Sequence, residues 1–346
     1  MMKIPTICLP KGELQEISIT ELLSSKAPCL YPMSFAFDLQ KLKESIKEVG
    51  IVNPPLLRCQ NAKLQIITGL RRITAARDLG FEKISCRVIS AHDLSPKDAL
   101  LTALHENLTC RQFNVVEKAM ILRYLTDHYS TEEILNHFMK ILGLAKRKEL
   151  YHLYIDIEQK LSTYVKESLA KGTLQLKTAA LLLTIDQKDA DLLVSLANNL
   201  KLTTNQFHEF IDITIDLSHI YKTSIQQVLL NPEIADVIDN EKLNIPQKAH
   251  RLLEVLRQIR FPTVARVQRK MKLTIEGLHL PEGVKMSLPT FLESSNYRLE
   301  VSFQDGNHLK RLLKDILDNR GLESLKSPLA EAMKDKPVGK RNEIQD

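Results

Sequence analysis

The hydrophobic positions in the first part of the chain alternate between helical and strand-like spacing. Apolar residues at helical intervals over 39–49 predict a helix, with Asp38 as its N-cap and Gly50 as its C-terminal stop. The same reading predicts short strands at 56–59, 63–68 and 84–89, and further helices at 73–79 and 97–108. Strands that alternate with short helices indicate an α/β domain.

Helical spacing dominates the middle of the chain, and a mixed pattern returns towards its end. Residues 114–231 are almost wholly helical in pattern. After them the pattern predicts basic amphipathic helices at 247–260 and 263–277, paired strands at 285–291 and 297–303, and a helix at 307–317. We therefore predict an α+β protein: an α/β amino-terminal domain (1–125), an all-helical middle domain (126–240), a small α+β carboxy-terminal module (241–326) and a mobile tail (327–346).

Composition narrows the class of protein. In 346 residues, 44% are hydrophobic and 26% charged, as in ordinary globular chains, so global disorder is excluded. No apolar run reaches the roughly 18–20 residues of a membrane span, and the start lacks a secretory apolar core, which predicts a cytoplasmic protein. The five cysteines are scattered without a CxxC pair, which predicts reduced thiols and no zinc site. The net charge of +6 is compatible with a polyanion partner but does not establish one.

The sharpest local motif is TGLRRITAAR at 68–77, where a strand ends in glycine and arginines open a helix. Gly69 would let a ligand approach the backbone, the helix start offers unpaired N–H groups, and Arg71 and Arg72 suit phosphate oxygens. The same string also fits a tight turn followed by solvated arginines. Alone, it does not decide between the two.

The order of several motifs adds specificity. The chain contains IVNPP at 51–55, the arginine motif at 68–77, ENLTCRQFNVVEKA at 106–119 and LAKGTLQLKTA at 169–179. This series resembles the amino-terminal region of ParB-type chromosome and plasmid partition proteins, over roughly residues 15–215. The chain is thereby identified as a divergent member of that family, whose first domain has a ParB/sulfiredoxin-like fold.

The resemblance implies a nucleotide site and a partner. In that family the first domain binds CTP, and nucleotide-gated closure lets a dimer clamp and slide on DNA. Carried over by position, Gly69, Arg71 and Arg72 would contact phosphates. Glu106 and Asn107 would lie at the phosphate and Mg²⁺ end, with Arg111 beside them. A homodimer, double-stranded DNA and a Walker-type partition ATPase are the implied partners, and a nucleoid-associated location with no membrane contact is implied with them.

The chain departs from the family's motifs. Leu70 takes the place of a glutamate, and leucine can neither ligate a metal nor polarise water. The usual glutamine and arginine fall on Thr109 and Cys110, with Arg111 displaced by one position, and an early Gln-Pro-Arg element is replaced by residues 28–31. These departures argue against CTP hydrolysis. An enzyme that uses Arg71, Arg72, Glu106 and Asn107, either a CTP hydrolase or a nuclease or phosphotransferase on the same scaffold, is still the first alternative to DNA binding. An interaction scaffold without either activity is the second alternative.

DNA contact is predicted at two places. A capping box from Ser130 to Glu133 and a turn at Gly143 suggest a divergent helix-turn-helix, although the connection is a few residues longer than usual. Its recognition helix would carry Lys146, Arg147, Lys148 and His152. The second place is the basic stretch 250–272, with Arg257, Arg260, Arg266, Arg269 and Lys270. Each stretch also fits a solvated helix face, and the roles in segregation or transcriptional regulation both stay open.

Overall fold

A computed structural model describes residues 10–24, 28–287 and 296–325. The chain divides into two units, residues 1–212 and 213–346, which are described separately below. The domain boundaries predicted at 125/126 and 240/241 fall inside these units and stay predictions. The predicted tail at 327–346 lies outside the described residues.

A four-stranded mixed sheet organises the start of the first unit. Its strands are β1 (Glu13–Ser18), β2 (Leu56–Gln60), β3 (Lys63–Thr68) and β4 (Lys83–Ser90). Their order is β1-β4-β2-β3; β2 runs parallel to β4, and the other two pairs are antiparallel. Asn61 and Ala62 join β2 to β3 with φ of 51° and 61°, the left-handed pair that a two-residue hairpin turn requires. Strands at 56–59, 63–68 and 84–89 are confirmed, and β1 was not predicted.

Four helices accompany this sheet: α1 (Ile19–Leu22), α2 (Gln40–Val49), α3 (Leu70–Asp78) and α4 (Pro96–Cys110). Helix α2 packs against α3, and α4 packs against β3. Leu57 of β2, Ile66 of β3 and Ile73 of α3 are at most 1% exposed and belong to one hydrophobic core. Burial of such side chains, at about 25 cal/mol per Å² of apolar surface, holds the helices on the sheet.

The start of α2 corrects the predicted N-cap. Leu39, not Asp38, occupies the N-cap position, with helix-like backbone angles and no side-chain cap. Asp38 lies one residue earlier, and its Oδ1 accepts a hydrogen bond of 2.9 Å from the Gln40 backbone N–H. The carboxylate still satisfies one N–H of the first turn, so the predicted chemistry is present at a shifted position. Gly50 ends the helix with φ of 72°, as predicted.

The rest of the first unit is helical, as predicted. Its helices are α5 (Val115–Leu125), α6 (Thr131–Glu133), α7 (Met139–Ile141), α8 (Lys148–Lys160), α9 (Thr163–Ala170), α10 (Leu176–Leu182) and α11 (Gln187–Asn199). The next helix, α12 (Thr204–Tyr221), contains the boundary between the two units. A π-helical turn, Ile134–Phe138, joins α6 to α7. Helix α5 packs against α8 and α9, and so links the sheet-containing part of the unit to the helices that follow it.

The second unit combines helices with a two-stranded sheet. After α12 come α13 (Ile225–Leu229), α14 (Pro232–Asp239), α15 (Ile245–Arg260), α16 (Pro262–Glu276), β5 (Val284–Ser287), β6 (Arg298–Val301), α17 (Gly306–Leu317) and a 3₁₀ turn (Arg320–Ser324). Strands β5 and β6 are antiparallel, which confirms the predicted pairing; residues 288–291 of the first predicted strand lie outside the described residues. Phe261 and Pro262 separate α15 from α16, because proline can begin a helix but cannot continue one. No helix within the described ranges is both long and apolar enough to cross a lipid bilayer.

Candidate functional site

A cavity of about 430 Å³ lies in the first unit, beside the start of α3. The residues predicted to bind a nucleotide phosphate all line it: Gly69, Arg71, Arg72, Glu106, Asn107 and Arg111. They come from the end of β3, the first turn of α3 and the end of α4. The volume is within the range of small-molecule sites in proteins.

Gly69 sets how closely α3 approaches the neighbouring loop. Its backbone has φ of 93°, in the left-handed region, and a Cβ placed on it would lie 2.8 Å from Pro55 Cβ. The first N–H groups of a helix have no intrahelical acceptor. No side chain caps α3, so its first N–H groups are not satisfied by a cap either. Glycine therefore lets the backbone turn sharply and leaves these donors beside the cavity.

Glu117 holds two of the arginines. Its side chain, 1% exposed, lies in the first turn of α5. Oε1 accepts hydrogen bonds from Arg71 Nη2 at 2.9 Å and from the Phe35 backbone at 3.2 Å. Oε2 accepts from Arg111 Nη1 at 2.6 Å and from the Asn114 backbone at 3.0 Å. One buried carboxylate thus joins three segments that are far apart in the sequence.

Two guanidinium groups on one carboxylate leave a positive charge uncompensated in this cluster. Burial, followed by repulsion from Arg111, lowers the pKa of Arg71, while its pairing with Glu117 opposes that shift. Arginine nevertheless stays protonated in proteins. Together with the free N–H groups of α3, this charge suits an anionic ligand.

Arg72 is paired separately, with Glu106. Its Nη2 donates to Glu106 Oε1 at 2.5 Å, and its Nη1 donates to the backbone carbonyl of Asn53. Asn107 is turned towards Arg111: its Oδ1 accepts from Arg111 Nε at 3.1 Å. No group of three or more His, Cys, Asp or Glu side chains suited to a metal occurs within the described ranges.

The remaining wall of the cavity is largely apolar. It includes Tyr31, Met33, Leu42, Ile46 and Ile51. The phenol of Tyr31 is hydrogen-bonded to His128 Nε2 at 2.8 Å.

The Cys29 thiol also lines the cavity. Burial raises its pKa to about 11, so the thiol is protonated at neutral pH and is a poor nucleophile. The four cysteines that fall within the described ranges are all free thiols, as predicted: Cys29, Cys59, Cys86 and Cys110.

Two residues of the site were missed from the sequence. Ser34 Oγ accepts hydrogen bonds from Arg71 Nε at 3.0 Å and from Arg111 Nη2 at 3.3 Å, and no local pattern marks it. The position of Glu117 does match a recognisable sequence pattern. Asn114 and Glu117 form a capping box, a pattern that places a glutamate at the third position of a helix. That pattern predicts the local hydrogen bonds but not the arginines.

The predicted recognition helix begins later than expected. Lys148 is its first residue, Arg147 is its N-cap with extended backbone, and Lys146 precedes both. Lys146 and Arg147 therefore belong to the turn rather than to the helix, because the backbone enters helical geometry only at Lys148. All three are exposed, as is His152 on α8. The capping box at Ser130 and the turn at Gly143, with φ of 67°, are confirmed.

The basic residues of the second unit fall on two helices. Helix α15 carries Arg257 and Arg260, and α16 carries Arg266, Arg269 and Lys270. Arg260 is paired with Asp216 at 2.9 Å and lies over the Phe261 ring. Arg266, Arg269 and Lys270 are exposed on α16, which buries Val267 and Met271. Arg257 and Arg260 on α15 are half-buried.

Comparison with known proteins gives a family match within the first unit and relatives that match longer parts of the chain. Residues 8–108 match the family model of the ParB N-terminal domain. Over 107 residues the chain is 36% identical to a probable plasmid-partitioning protein ParB of Thermus thermophilus, covering 30% of this chain and 35% of that protein. Over 282 residues it is 25% identical to a probable chromosome-partitioning protein ParB of Vibrio cholerae, covering 80% of this chain and 86% of that protein. The chain thus spans only about a third of the Thermus relative.

One solved structure is also similar. It is the C-terminally truncated chromosome-partitioning protein ParB from Caulobacter crescentus complexed with CTP-gamma-S, which is 22% identical in sequence. The match covers 53% of this chain and 98% of that one, with a TM-score of 0.25.

Proposed function

Because the chain belongs to the ParB-type family of partition proteins, we propose that it binds CTP in its first unit and double-stranded DNA through its helices, and acts in chromosome or plasmid segregation. One observation carries the proposal: the residues predicted to hold a phosphate, although spread over 69–111, line a single cavity. A turn with merely solvated arginines would not need a glycine, two guanidinium groups and a buried carboxylate at one corner.

The nucleotide would be held by two kinds of contact. Its phosphates would accept hydrogen bonds from the first N–H groups of α3 and from Arg71 and Arg72, and the surplus charge beside Glu117 would favour them. The apolar wall around Tyr31 and Ile46 would receive the base or sugar, since such sites combine apolar surface with a few polar groups.

Mg²⁺ fits this site only if the phosphates of the nucleotide supply several of its ligands. Glu106 and Asn107 are the protein groups in position, but Glu106 Oε1 and Asn107 Oδ1 already accept from Arg72 and Arg111. Mg²⁺ commonly takes one or two carboxylates and completes its shell with phosphate oxygens and water. The ion would neutralise phosphate charge, and Glu106 Oε2 is the protein oxygen we assign to it.

We propose binding without turnover as the basic activity. Leu70 lines the cavity where the related motif carries glutamate, and it offers no group that could activate water. Two carboxylates line the cavity: Glu106 is engaged by Arg72, and Asp38 Oδ1 accepts from the Gln40 backbone N–H. Measured CTP hydrolysis by the pure protein would establish the enzyme alternative instead.

DNA would be read by the turn before α8 and by the start of that helix. Lys146, Arg147, Lys148 and His152 are exposed there, and α5, which carries Glu117, packs against α8. The basic face of α16 would add contacts to the phosphate backbone. A homodimeric clamp that cooperates with a Walker-type partition ATPase is the assembly that we propose from the family.

The test measures CTP and DNA binding by the full chain. We expect CTP to bind by calorimetry, ATP to bind more weakly, and CTP to change DNA affinity across a series of salt concentrations. Absence of CTP binding would overturn the nucleotide part. DNA binding that is absent, or that does not respond to salt, would favour the interaction scaffold, because phosphate contacts make affinity fall with salt.

A further inference from the structure

Ser34 stands between two cations at the edge of the cavity. Its Oγ accepts hydrogen bonds from Arg71 Nε at 3.0 Å and from Arg111 Nη2 at 3.3 Å, and the residue lines the cavity. Both guanidinium groups are fixed from behind by Glu117. The hydroxyl is therefore held in place by groups that do not depend on it for their own position.

The O–H donor of Ser34 has no acceptor among the described residues. A serine hydroxyl has two acceptor lone pairs and one O–H donor. Arginine has no acceptor, so both contacts use the lone pairs of Ser34. Within the described ranges no protein group accepts a hydrogen bond from Ser34 Oγ. The hydrogen of this hydroxyl is thus left for a ligand or for water in the cavity.

We propose that Ser34 is a ligand-binding residue that donates a hydrogen bond to a phosphate oxygen of the bound nucleotide. The inference rests on the proposed nucleotide binding and adds a residue to it. Two adjacent cations withdraw electron density from the hydroxyl oxygen, which makes its hydrogen a better donor. They also favour an anionic acceptor over a neutral one at the same place. The polyphosphate therefore lies on the side of the cavity where Ser34, Arg71 and Arg111 meet.

The experiment compares Ser34→Ala with Ser90→Ala in the full chain. Ser90, the last residue of β4, is an exposed serine that does not line the cavity, so it serves as the control. Calorimetry with CTP, cytidine and inorganic triphosphate separates phosphate from base contacts. We expect Ser34→Ala to weaken CTP and triphosphate about tenfold or more, the usual effect of losing a hydrogen bond to a charged group. Cytidine binding by Ser34→Ala, and all binding by Ser90→Ala, should be unchanged.

Repeating the Ser34→Ala measurement in an Arg71→Lys variant distinguishes a direct contact between Ser34 and phosphate from an effect of Ser34 on the position of Arg71. Arg71→Lys keeps the positive charge but removes the Nε–H that Ser34 accepts. If Ser34 touches phosphate, Ser34→Ala still weakens triphosphate binding about tenfold in that background, and Ser34→Thr largely preserves it. If the effect of Ser34→Ala disappears there, or if cytidine weakens as much as CTP, the proposal is overturned.

The outcomes also separate this inference from the proposed function. Triphosphate binding that is lost in Ser34→Ala, in a protein that does not bind CTP, would support Ser34 as an anion donor and overturn the nucleotide assignment. A wild-type protein that binds neither CTP nor triphosphate overturns both.

Discussion

The carboxylate of Glu117 and the guanidinium of Arg71, 46 positions apart in the sequence, meet at 2.9 Å beneath the cavity. The pair joins the first turn of α5 to the first turn of α3, and Arg111 shares the same carboxylate. The arginines beside the cavity and the helical part of the first unit are therefore joined through one buried carboxylate.

The first prediction concerns that group. Glu117→Gln keeps the shape but leaves two guanidinium groups without their counter-charge, so we expect the free energy of unfolding to fall by about 3 kcal/mol. Urea unfolding followed by circular dichroism measures the change, and Glu132→Gln, at an exposed glutamate on α6, is the control. Equal stability of the two variants would mean that Glu117 does not support the arginines.

Gly69 and Gly80 flank α3 and provide a matched pair. Both have positive φ, of 93° and 82°, but only at Gly69 would a Cβ meet another residue within 4 Å. Gly80→Ala should cost about 1 kcal/mol for the backbone conformation alone. Gly69→Ala should cost more and abolish CTP binding, because α3 must move away from Pro55. Thermal unfolding and calorimetry test this; equal behaviour of the two variants would contradict it.

Arg72 should matter for binding more than for folding. Arg72→Ala removes a phosphate donor and frees Glu106, whose charge would then repel the nucleotide, so we expect CTP affinity to fall about 30-fold. Arg77→Ala is the control, since Arg77 lies on the same helix and pairs only with exposed Asp78. Comparable affinities for the two variants would place the phosphates elsewhere.

The buried thiol of Cys29 predicts a pH dependence of stability. Burial raises its pKa from 9.0 to about 11, so the unfolded chain loses this proton at lower pH than the folded one. Stability from this group is therefore complete below about pH 9 and is lost as pH rises towards 11, by at most about 1.4 kcal/mol per pH unit. Cys29→Ala should flatten the fall in urea stability over this range, whereas Cys110→Ala, at an exposed cysteine, should not. A slope unchanged by Cys29→Ala would refute the assignment.

The last prediction separates phosphate contacts from solvated charge before α8. Replacing Lys146, Arg147 and Lys148 together by alanine should reduce the slope of log K against log salt by about 3, because each phosphate contact contributes about 0.9. Fluorescence anisotropy with a mixed-sequence duplex measures the slope. Lys160→Ala, at the far end of the same helix and paired with Asp156, should leave it unchanged. An unaltered slope in the triple variant would leave these side chains as a solvated face.

The hydrophobic pattern predicted the elements that bury apolar side chains. Strand β4 alternates buried and less buried residues, whereas β2, β3 and α4 each bury a run of consecutive residues. Strand β1 escaped prediction because its first four residues are all exposed and it pairs with β4 alone, at the edge of the sheet. An edge strand of this kind keeps its place through backbone hydrogen bonds, which leave no side-chain pattern.

The motif residues of the candidate site were predictable from the sequence, but the residues that hydrogen-bond to its arginines were not. Gly69, Arg71 and Arg72 are neighbours, so one motif located them together. Ser34 and Glu117 reach the same corner from 37 and 46 positions away from Arg71, and only the folded chain brings them there. Contacts at such separations depend on tertiary packing rather than on local sequence.

The π-helical turn Ile134–Phe138 accommodates a longer segment without a longer loop. A π turn holds one residue more than an α-helical path would, and one residue corresponds to about 100° of rotation around a helix axis. Ile134 and Phe138, at the two ends of this turn, are both buried. A count of helical positions carried through this segment at 3.6 residues per turn would therefore place every later side chain about 100° from its true face.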